Sequence, residues 1–361
     1  MFLNCLGCKQ ITDRSSSQTQ KQYPTVIEEL CHQFSLAELK KSTSNFDENR
    51  VIGRGLFSQV YKGCLRHNGA SDFTVAIKRF TERNQGWEAF KKEIELLCQL
   101  RHPNIVSLIG FCNHKDDKIG VFEYMSNGSL YDRLLQGGEL SWKKRLEICI
   151  GAARGLHYLH TGAKRTIFHC ILSPNTILLD ANMKPKLAGF GVNVQGSRFM
   201  SKTKQINIER ITGTLGYMAM EYAINGTVTD KCDVFSFGMI LLEVVCGENY
   251  LEMPIEFMER PVEEKIDPNI QGKIAPQCWQ VFIDIVQRCV KLEPDERPAM
   301  GEVEVELEHA LSLQEQEDIT NTNDEYTLLS KTIIDLRLEW EYFERALSLQ
   351  QKEDISPETV T

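Results

Sequence analysis

The sequence of 361 residues lacks an apolar run long enough to cross a bilayer. A membrane-spanning helix needs about 18 or more consecutive apolar residues. The best candidate, Phe237 to Cys246, is interrupted by Glu243. We therefore expect no membrane-spanning segment. With 42% hydrophobic and 25% charged residues, the chain has the composition of a globular protein, not of a disordered or collagen-like one.

The sequence also lacks a basic face. Its formal net charge is −9, and the tail from Gln314 to Thr361 holds 12 acidic and 4 basic residues, a net charge of −8. The rest of the chain is therefore close to neutral. Because nucleic-acid-binding proteins carry basic patches or stripes, we expect no nucleic-acid partner.

The 12 cysteines lack the spacing of a disulfide framework or a zinc site. Ten of them stand singly, and only Cys5 and Cys8 form a C-x-x-C pair, with no second pair to complete a metal site. Single buried cysteines are typical of a reducing compartment. This pattern predicts a cytoplasmic location, in the cytosol or at the inner face of a membrane.

The first 22 residues are predicted to form a flexible segment that contacts the membrane. Phe2 stands where N-myristoylation needs glycine, which excludes that modification. Cys5 and Cys8 are candidate sites of S-palmitoylation, and two acyl chains suffice for stable anchoring. The polar stretch 14–22 then reads as a linker. An unmodified, unanchored start is the alternative.

Residues 23–50 are predicted to form a helical lead-in. Ser35 and Glu38 have the spacing of a capping box. The helix should run from about Leu36 to Ser44, where Asn45 and Asp47 end it.

A nucleotide-binding pattern follows. Gly53 and Gly55 can bring a backbone turn close to phosphate oxygens. Two β-rich segments follow, instead of the helix that a dinucleotide-binding fold needs. The second contains Lys78 at the end of Val-Ala-Ile-Lys, and a helix-periodic stretch then carries Glu93. This order is that of a protein kinase, in which the lysine, paired with the glutamate, holds nucleotide phosphates.

From about Asn45 to Leu313 the chain resembles the plant receptor-like cytoplasmic kinases, in particular the FERONIA-like and Pto-like group. Further matching segments are Arg145 to His160 and Gly213 to Tyr217. The resemblance implies an α+β, two-lobed protein kinase fold. Its β-rich N-lobe with one long helix would run with the hinge over 51–125, and its mostly helical C-lobe over 126–313.

The resemblance also assigns roles around the cleft. It places Phe122 at the gatekeeper position, Glu123 and Met125 in the hinge, and Val60, Ala76 and Leu178 around an adenine ring. It implies a stack of side chains between the lobes, an aspartate that anchors the stack, and an ion pair in the C-lobe. These structural residues are Leu97, Leu108, His169 and Phe190 in the stack, Asp233 as the anchor, and Glu221 with Arg297 as the ion pair.

The reaction centre departs from the family pattern. Ile171 stands where the family has the catalytic aspartate, Ser173 where it has the lysine that neutralises the γ-phosphate, and Thr176 where it has the metal-binding asparagine. Gly189 replaces the metal-binding aspartate of Asp-Phe-Gly, and Cys170 replaces the arginine that clamps a phosphorylated activation loop. Losing a general base alone typically costs about 10² to 10⁴ in rate.

These departures predict a pseudokinase that acts as a scaffold, decoy or allosteric partner of active receptor-like kinases at the plasma membrane. The alternative is a weakly active, ATP-dependent Ser/Thr kinase with a rearranged metal site, for which Asp180 or Glu123 would have to move. The loss of both metal-holding positions is expected to weaken Mg²⁺ and ATP–Mg²⁺ binding strongly. Whether the cleft still takes ATP weakly or takes none stays open.

Residues 314–361 form an acidic tail with an internal repeat. Glu308 to Gln314 recurs as Glu344 to Gln350, and the two copies differ only at His309, which becomes Arg345. Apolar residues recur at helix-face spacing, which predicts a second helix in a partly helical tail. They are Leu329, Ile333, Leu336, Trp340, Phe343 and Leu347.

Overall fold

A computed structural model describes residues 31–65, 73–81, 85–135, 140–196, 205–214, 216–247, 260–321, 325–334 and 336. The predicted flexible segment 1–22, with Cys5 and Cys8, lies outside these residues, as does the second copy of the repeat. Among the helices of the described parts, none is both long and apolar enough to span a bilayer.

The small lobe is built on a six-stranded sheet. Its strands in chain order are β1 (His32–Gln33), β2 (Val51–Gly55), β3 (Ser58–Leu65), β4 (Phe73–Phe80), β5 (Leu108–Asn113) and β6 (Lys118–Glu123). They lie side by side in the order β1-β5-β6-β4-β3-β2. All neighbours pair antiparallel except β1, which pairs parallel with β5.

The residues ahead of the glycine-containing hairpin belong to this lobe. Helix α1 (Leu36–Ser42) begins with the predicted capping box, in which the backbone N–H of Glu38 donates to Ser35 Oγ (3.2 Å) and that of Ser35 donates to Glu38 Oε2 (2.8 Å). Leu39 is completely buried in a small core with Val75 and Ile77 of the sheet. The lead-in therefore packs as part of the small lobe from residue 31 onward.

The large lobe is mostly helical. Its helices, together with α2 (Gly86–Leu97) of the small lobe, are α3 (Leu130–Leu135), α4 (Trp142–His157), α5 (Met220–Asn225), α6 (Asp230–Cys246), α7 (Pro276–Cys289) and α8 (Met300–Thr320). Short strand pairs join β7 (Ile167–Phe168) with β10 (Val194–Gln195), β8 (Ile177–Leu179) with β9 (Pro185–Leu187), and β11 (Ile206–Asn207) with β12 (Thr227–Val228). This architecture confirms the predicted α+β, two-lobed fold.

Helix α6 forms the centre of the large lobe. Almost every residue from Cys232 to Cys246 is buried, which is the pattern of a helix surrounded by other elements. A buried ion pair beside it joins the Arg145 guanidinium to Asp267, while Arg145 Nη1 donates to the Val244 carbonyl at 2.7 Å. Helix α6 is therefore the central core element of the large lobe, and the cleft lies above it.

Beyond helix α8, the described residues of the tail lie against the large lobe in an extended conformation. Helix α8 ends at Thr320 and contains the first copy of the repeat. Residues 325–334, here called the strap, form neither helix nor turn. The predicted helix face is therefore wrong for Leu329, Ile333 and Leu336: Leu329 is 90% exposed, whereas Ile334 and Leu336 are buried. Trp340, Phe343 and Leu347 lie outside the described residues.

The strap is held by hydrogen bonds to one acidic side chain. Glu263 Oε2 accepts from the Thr332 backbone N–H (2.8 Å), and Glu263 Oε1 accepts from Ser330 Oγ (3.1 Å) and Trp279 Nε1 (2.9 Å). Burial raises the pKa of Glu263, but these donors outweigh it and bring the pKa below its usual value. The charged form of Glu263 is therefore the one that fixes the strap.

Candidate functional site

An ion pair connects the roof of the cleft to the helix beside it. Lys78 lies on β4 and Glu93 on α2, and Lys78 Nζ is 2.6 Å from Glu93 Oε2. The Glu93 residue is only 2% exposed, because α2 turns its apolar face, including Ile94 and Leu97, toward the sheet. In protein kinases this pair must form before phosphates can be positioned.

The hairpin of β2 and β3 lies over Lys78. Gly53 pairs with Val60, and Gly55 pairs with Ser58. A Cβ at Gly53 would meet nothing closer than Val60 Cβ at 3.9 Å, and one at Gly55 would lie 3.2 Å from Ser58 Oγ. A side chain at Gly53 would therefore be tolerated by the hairpin, whereas one at Gly55 would crowd Ser58.

The predicted adenine-side residues lie on neighbouring strands of the small lobe and on one strand of the large lobe. Ala76 pairs with Phe122 across β4 and β6, and Leu178 lies on β8. Phe122 and Met125 are buried. The Glu123 side chain turns away to bind Lys186 Nζ at 2.9 Å and the Ser107 backbone N–H at 2.7 Å. This bond between hinge and β9 is a contact that the sequence did not reveal.

The predicted stack between the lobes is buried. Leu97, Leu108 and Phe190 belong to one continuous core, and His169 is completely buried. The rings of His169 and Phe190 lie edge to face with their centres 5.0 Å apart, and His169 Nε2 is 2.9 Å from the Ala188 carbonyl oxygen. Burial lowers the pKa of His169. The imidazole is therefore a neutral packing element at ordinary pH.

Asp233 anchors this stack from below. Its carboxylate accepts the backbone N–H of His169 (2.8 Å) and of Cys170 (3.0 Å), and it lies 2.9 Å from His160 Nε2. Cys170 has a left-handed backbone with φ +68°, which points its amide at Asp233. Burial raises the pKa of Asp233. The hydrogen bond and the charge of His160, together with the backbone amides, lower this pKa by more, so that it lies below its usual value.

A second carboxylate fixes the lower part of the large lobe. Glu221 Oε1 lies 2.6 Å from Arg297 Nη1, and Glu221 Oε2 lies 3.1 Å from Nη2. The Arg297 side chain is 1% exposed, and it also donates to the carbonyls of Lys291 and Leu292. The structure thus brings together both residues that the sequence predicts to pair, in a bidentate geometry.

The reaction centre is lined by apolar groups. Gly189 has φ +88°, and a Cβ there would lie 3.3 Å from Thr176 Cγ2 and 3.5 Å from Ile171 Cδ1. Three of the replaced positions thus come together at one point. Thr176 Oγ1 accepts the Ser173 backbone N–H (3.1 Å) and donates to the Ser173 carbonyl (2.9 Å). Its hydroxyl stabilises the loop itself.

The remaining replaced positions offer no charge. Ser173 is 2% exposed. Cys170 is buried, and burial together with the charge of Asp233 raises the pKa of its thiol well above the usual value. This thiol is therefore a packing group, not a nucleophile.

The donor set does not fit Mg²⁺, which prefers carboxylate and phosphate oxygens. Among the described residues, no group of three or more His, Cys, Asp or Glu side chains could hold a metal ion. Asp180 Oδ1 accepts the backbone N–H groups of Asn182 (2.8 Å) and Lys184 (2.9 Å). Glu123 is bound to Lys186. Both carboxylates of the alternative metal site are thus already engaged.

The activation segment, residues 189–221, is held at Thr212 by a tyrosine that the sequence did not single out. The Thr212 backbone N–H donates to Tyr222 Oη at 3.1 Å, and Tyr222 Oη donates to the Thr212 carbonyl at 2.7 Å. The ladder of β11 and β12 holds the same segment upstream. Burial raises the pKa of Tyr222 beyond its usual range, so the phenol stays neutral and can donate. A phosphate clamp is not needed for this arrangement.

Comparison with known proteins gives this fold and cleft a family. The family model described as protein tyrosine and serine/threonine kinase matches residues 46–307. The chain belongs to this family. The match begins within the lead-in and ends within α8, so it includes both lobes and every cleft residue described above.

The similar curated proteins are plant receptor-like kinases. The chain is 39% identical over 330 residues to the receptor-like protein kinase FERONIA of Arabidopsis thaliana. The aligned region covers 87% of this chain and 36% of that protein. It is 42% identical over 305 residues to ANXUR2 of the same plant, covering 80% and 35%. It is 39% identical over 301 residues to HERK 1 of Arabidopsis thaliana, and the aligned region covers 79% of this chain and 35% of that protein. The chain thus spans about a third of the length of these relatives.

Proposed function

We propose that this chain is a pseudokinase that takes part in receptor-kinase signalling as a scaffold, decoy or allosteric partner of an active receptor-like kinase. The observation that carries the proposal is the convergence of Ile171, Thr176 and Gly189 on one apolar point. Phosphoryl transfer depends on cations and metal ions that stabilise charge on the moving phosphoryl group. Methyl and methylene groups at that point cannot supply this stabilisation.

The intact framework supports a role in binding. The Lys78–Glu93 pair, the stack anchored by Asp233 and the Glu221–Arg297 pair together hold the shape of an assembled kinase. A kinase-shaped surface is what a partner kinase can recognise without any chemistry in the cleft. The nucleotide pocket still has Gly53, Gly55 and Lys78, so these residues would hold a nucleotide without metal if one binds.

The second candidate is weak Ser/Thr kinase activity. It is favoured by the Lys78–Glu93 pair and by the names of the relatives, which are receptor-like protein kinases. It requires a carboxylate to leave its present partners, either Asp180 from the turn at 182–184 or Glu123 from Lys186. Breaking such bonds makes this route the costlier one.

Radiolabelled ATP separates the two candidates. The purified chain is incubated with γ-labelled ATP, with Mg²⁺ or Mn²⁺, and with a generic protein substrate. Lys78→Met serves as the matched control, because it removes the phosphate-binding cation. Since it also leaves the buried Glu93 carboxylate without its partner, the folding of the variant is verified as well. We expect incorporation equal to the control, from protein whose folding is verified by circular dichroism. Incorporation above the control would establish the kinase and refute the pseudokinase.

Nucleotide binding is measured separately. A thermal shift with ATP alone and with ATP plus Mg²⁺ distinguishes an empty cleft from one that binds without metal. We expect any shift to be independent of Mg²⁺ and to disappear in Lys78→Met. A larger shift with Mg²⁺ would show that a metal ligand exists after all.

Membrane attachment belongs to the same proposal. The action of the chain beside a receptor kinase is supported by Cys5 and Cys8, which supply two acylation sites. Membrane fractionation of wild type, Cys5→Ser and the double variant Cys5→Ser/Cys8→Ser tests this part. We expect stepwise release into the soluble fraction. A double variant that stays with the membrane would refute anchoring through these thiols.

A further inference from the structure

The strap presents an unused strand edge. Its side chains alternate: the even-numbered residues from Tyr326 to Ile334 face the large lobe, and the odd-numbered residues are exposed. Leu329 is 90% exposed and Ile333 57%. Alternation with a period of two, without helix or turn, is that of an extended strand.

The backbone bonds follow the same alternation. The Tyr326 N–H donates to the Gly272 carbonyl (2.9 Å), the Thr332 N–H donates to Glu263, and the Thr332 carbonyl accepts from Val262 (2.8 Å). In an extended chain, the N–H and C=O of one residue point to the same edge, and those of the next residue point to the opposite edge. Tyr326 and Thr332, both even-numbered, bind the lobe with one edge, so the odd-numbered residues point to the other edge.

The outer edge has its hydrogen-bonding capacity unused. Within the described residues, the backbone groups of Thr327, Leu329, Lys331 and Ile333 make no hydrogen bond. Glu325 is engaged only through its carbonyl, which accepts from Asn321 Nδ2 (3.2 Å). A strand edge with free N–H and C=O groups and exposed apolar side chains is a template for another strand.

We infer that this edge pairs with the same edge of a second copy of the chain, in an antiparallel, two-fold arrangement. A two-fold pair centred on Leu328 places Glu325 of each copy opposite Lys331 of the other, and Thr327 opposite Leu329. Each of the two pairs then joins a negative and a positive side chain, and such cross-strand pairs stabilise a ladder. The sequence of the strap is therefore complementary to itself, as a two-fold interface requires.

The interface is small. Two paired segments of about seven residues bury far less than the roughly 1,200 Å² of a standard stable interface. The expected dimer is therefore weak, with a dissociation constant on the order of 10 to 100 µM.

Analytical ultracentrifugation of the full chain, from micromolar to several hundred micromolar, tests the pairing. Glu325→Lys and Lys331→Glu should each weaken the dimer about tenfold, because each places two like-charged pairs across the ladder. The double variant should restore it. A mixture of the two single variants should also associate, since every cross-strand pair then has opposite signs. Lys115→Glu, the same charge change on an exposed loop residue of the small lobe, is the matched control.

A backbone test complements the charge test. Leu329→Pro removes an N–H from the free edge but none of the bonds to the lobe, so it should abolish association while the fold stays intact. A wild-type chain that is monomeric at every concentration overturns the inference. So does a dimer that tolerates the single charge reversals or Leu329→Pro, because its interface would lie elsewhere.

Discussion

The framework around Asp233 and the reaction centre around Gly189 are neighbours in one cleft, but they are built differently. Asp233 receives three donors within 3.0 Å. At Gly189, the closest groups to a side chain would be methyls of Thr176 and Ile171. The Asp233 carboxylate is engaged by these three donors, whereas the second region presents methyl groups where the resemblance places polar side chains. The comparison separates what holds a kinase fold from what makes it an enzyme.

The largest expected effect concerns the framework. Glu221→Ala leaves the Arg297 guanidinium buried without its carboxylate, which typically costs about 3–5 kcal/mol of folding free energy. Ile171→Val at the reaction centre should cost about 1 kcal/mol or less, because the side chain is only partly buried. Urea unfolding of both variants measures the contrast. Similar losses would show that the reaction centre is as structural as the framework.

The next effect concerns Asp233. Asp233→Asn replaces a carboxylate oxygen by an amide donor, which leaves the His169 or the Cys170 N–H without an acceptor and should cost about 2 kcal/mol. The pKa of Asp233 is lower in the folded chain than unfolded, so its contribution is fully present above the unfolded pKa of about 3.9 and is lost as the pH falls through the folded pKa.

The pH dependence distinguishes this electrostatic role from simple packing. Stability is measured by urea unfolding between pH 3 and pH 7 for both chains. Acidification should lower the free energy of unfolding less in Asp233→Asn than in the wild type. The difference in stability between the two chains should therefore narrow toward pH 3. A difference that is constant with pH would contradict the assigned charge state.

A third prediction turns the reaction centre back toward a metal site. Gly189→Asp alone should gain no Mg²⁺-dependent ATP binding, because the new side chain meets Thr176 and Ile171 at 3.3 and 3.5 Å. The triple variant Ile171→Asp/Thr176→Asn/Gly189→Asp should gain it. At a ligand concentration about ten times Kd, the gain is about 1.4 kcal/mol of stability, which a thermal shift detects.

The matched control adds Lys78→Met to the triple variant, which should lose the shift again. If the triple variant binds ATP with Mg²⁺ no better than Gly189→Asp does, then parts of the cleft other than these three residues also differ from an active kinase. If Gly189→Asp alone binds ATP with Mg²⁺, the apolar packing at this point is easily displaced and the comparison with the framework weakens.

Much of the fold and the cleft could be predicted from the sequence, because short motifs fix the residues that meet there. Lys78 and Glu93 are 15 positions apart, and only the strand-then-helix order of a kinase brings them together. Residues that act through geometry left no such signal. Tyr222 reaches the backbone of Thr212, and Lys186 binds Glu123, but nothing in the pattern of one sequence indicates either partner.

The tail shows how a periodic signal can mislead. Leu329, Ile333 and Leu336 have helix-face spacing, but the strap is extended. Glu263 decides this, since its carboxylate accepts donors from Ser330 and Thr332, two residues apart, which a strand presents on one side and a helix does not. Tertiary hydrogen bonds outweigh a weak local preference for helix, and the periodicity of a sequence does not indicate such bonds.

The smallest effect is local. Tyr222→Phe removes the hydroxyl that binds both backbone groups of Thr212, at a cost of about 1 kcal/mol. Hydrogen exchange should rise over residues 205–214 and stay unchanged around Asp233. Tyr124→Phe in the hinge, which removes a hydroxyl and keeps the ring beneath Lys62, is the matched control and should change neither. Unchanged exchange in Tyr222→Phe would mean that the β11–β12 ladder suffices, and that this segment, unlike the framework, is held by backbone bonds alone.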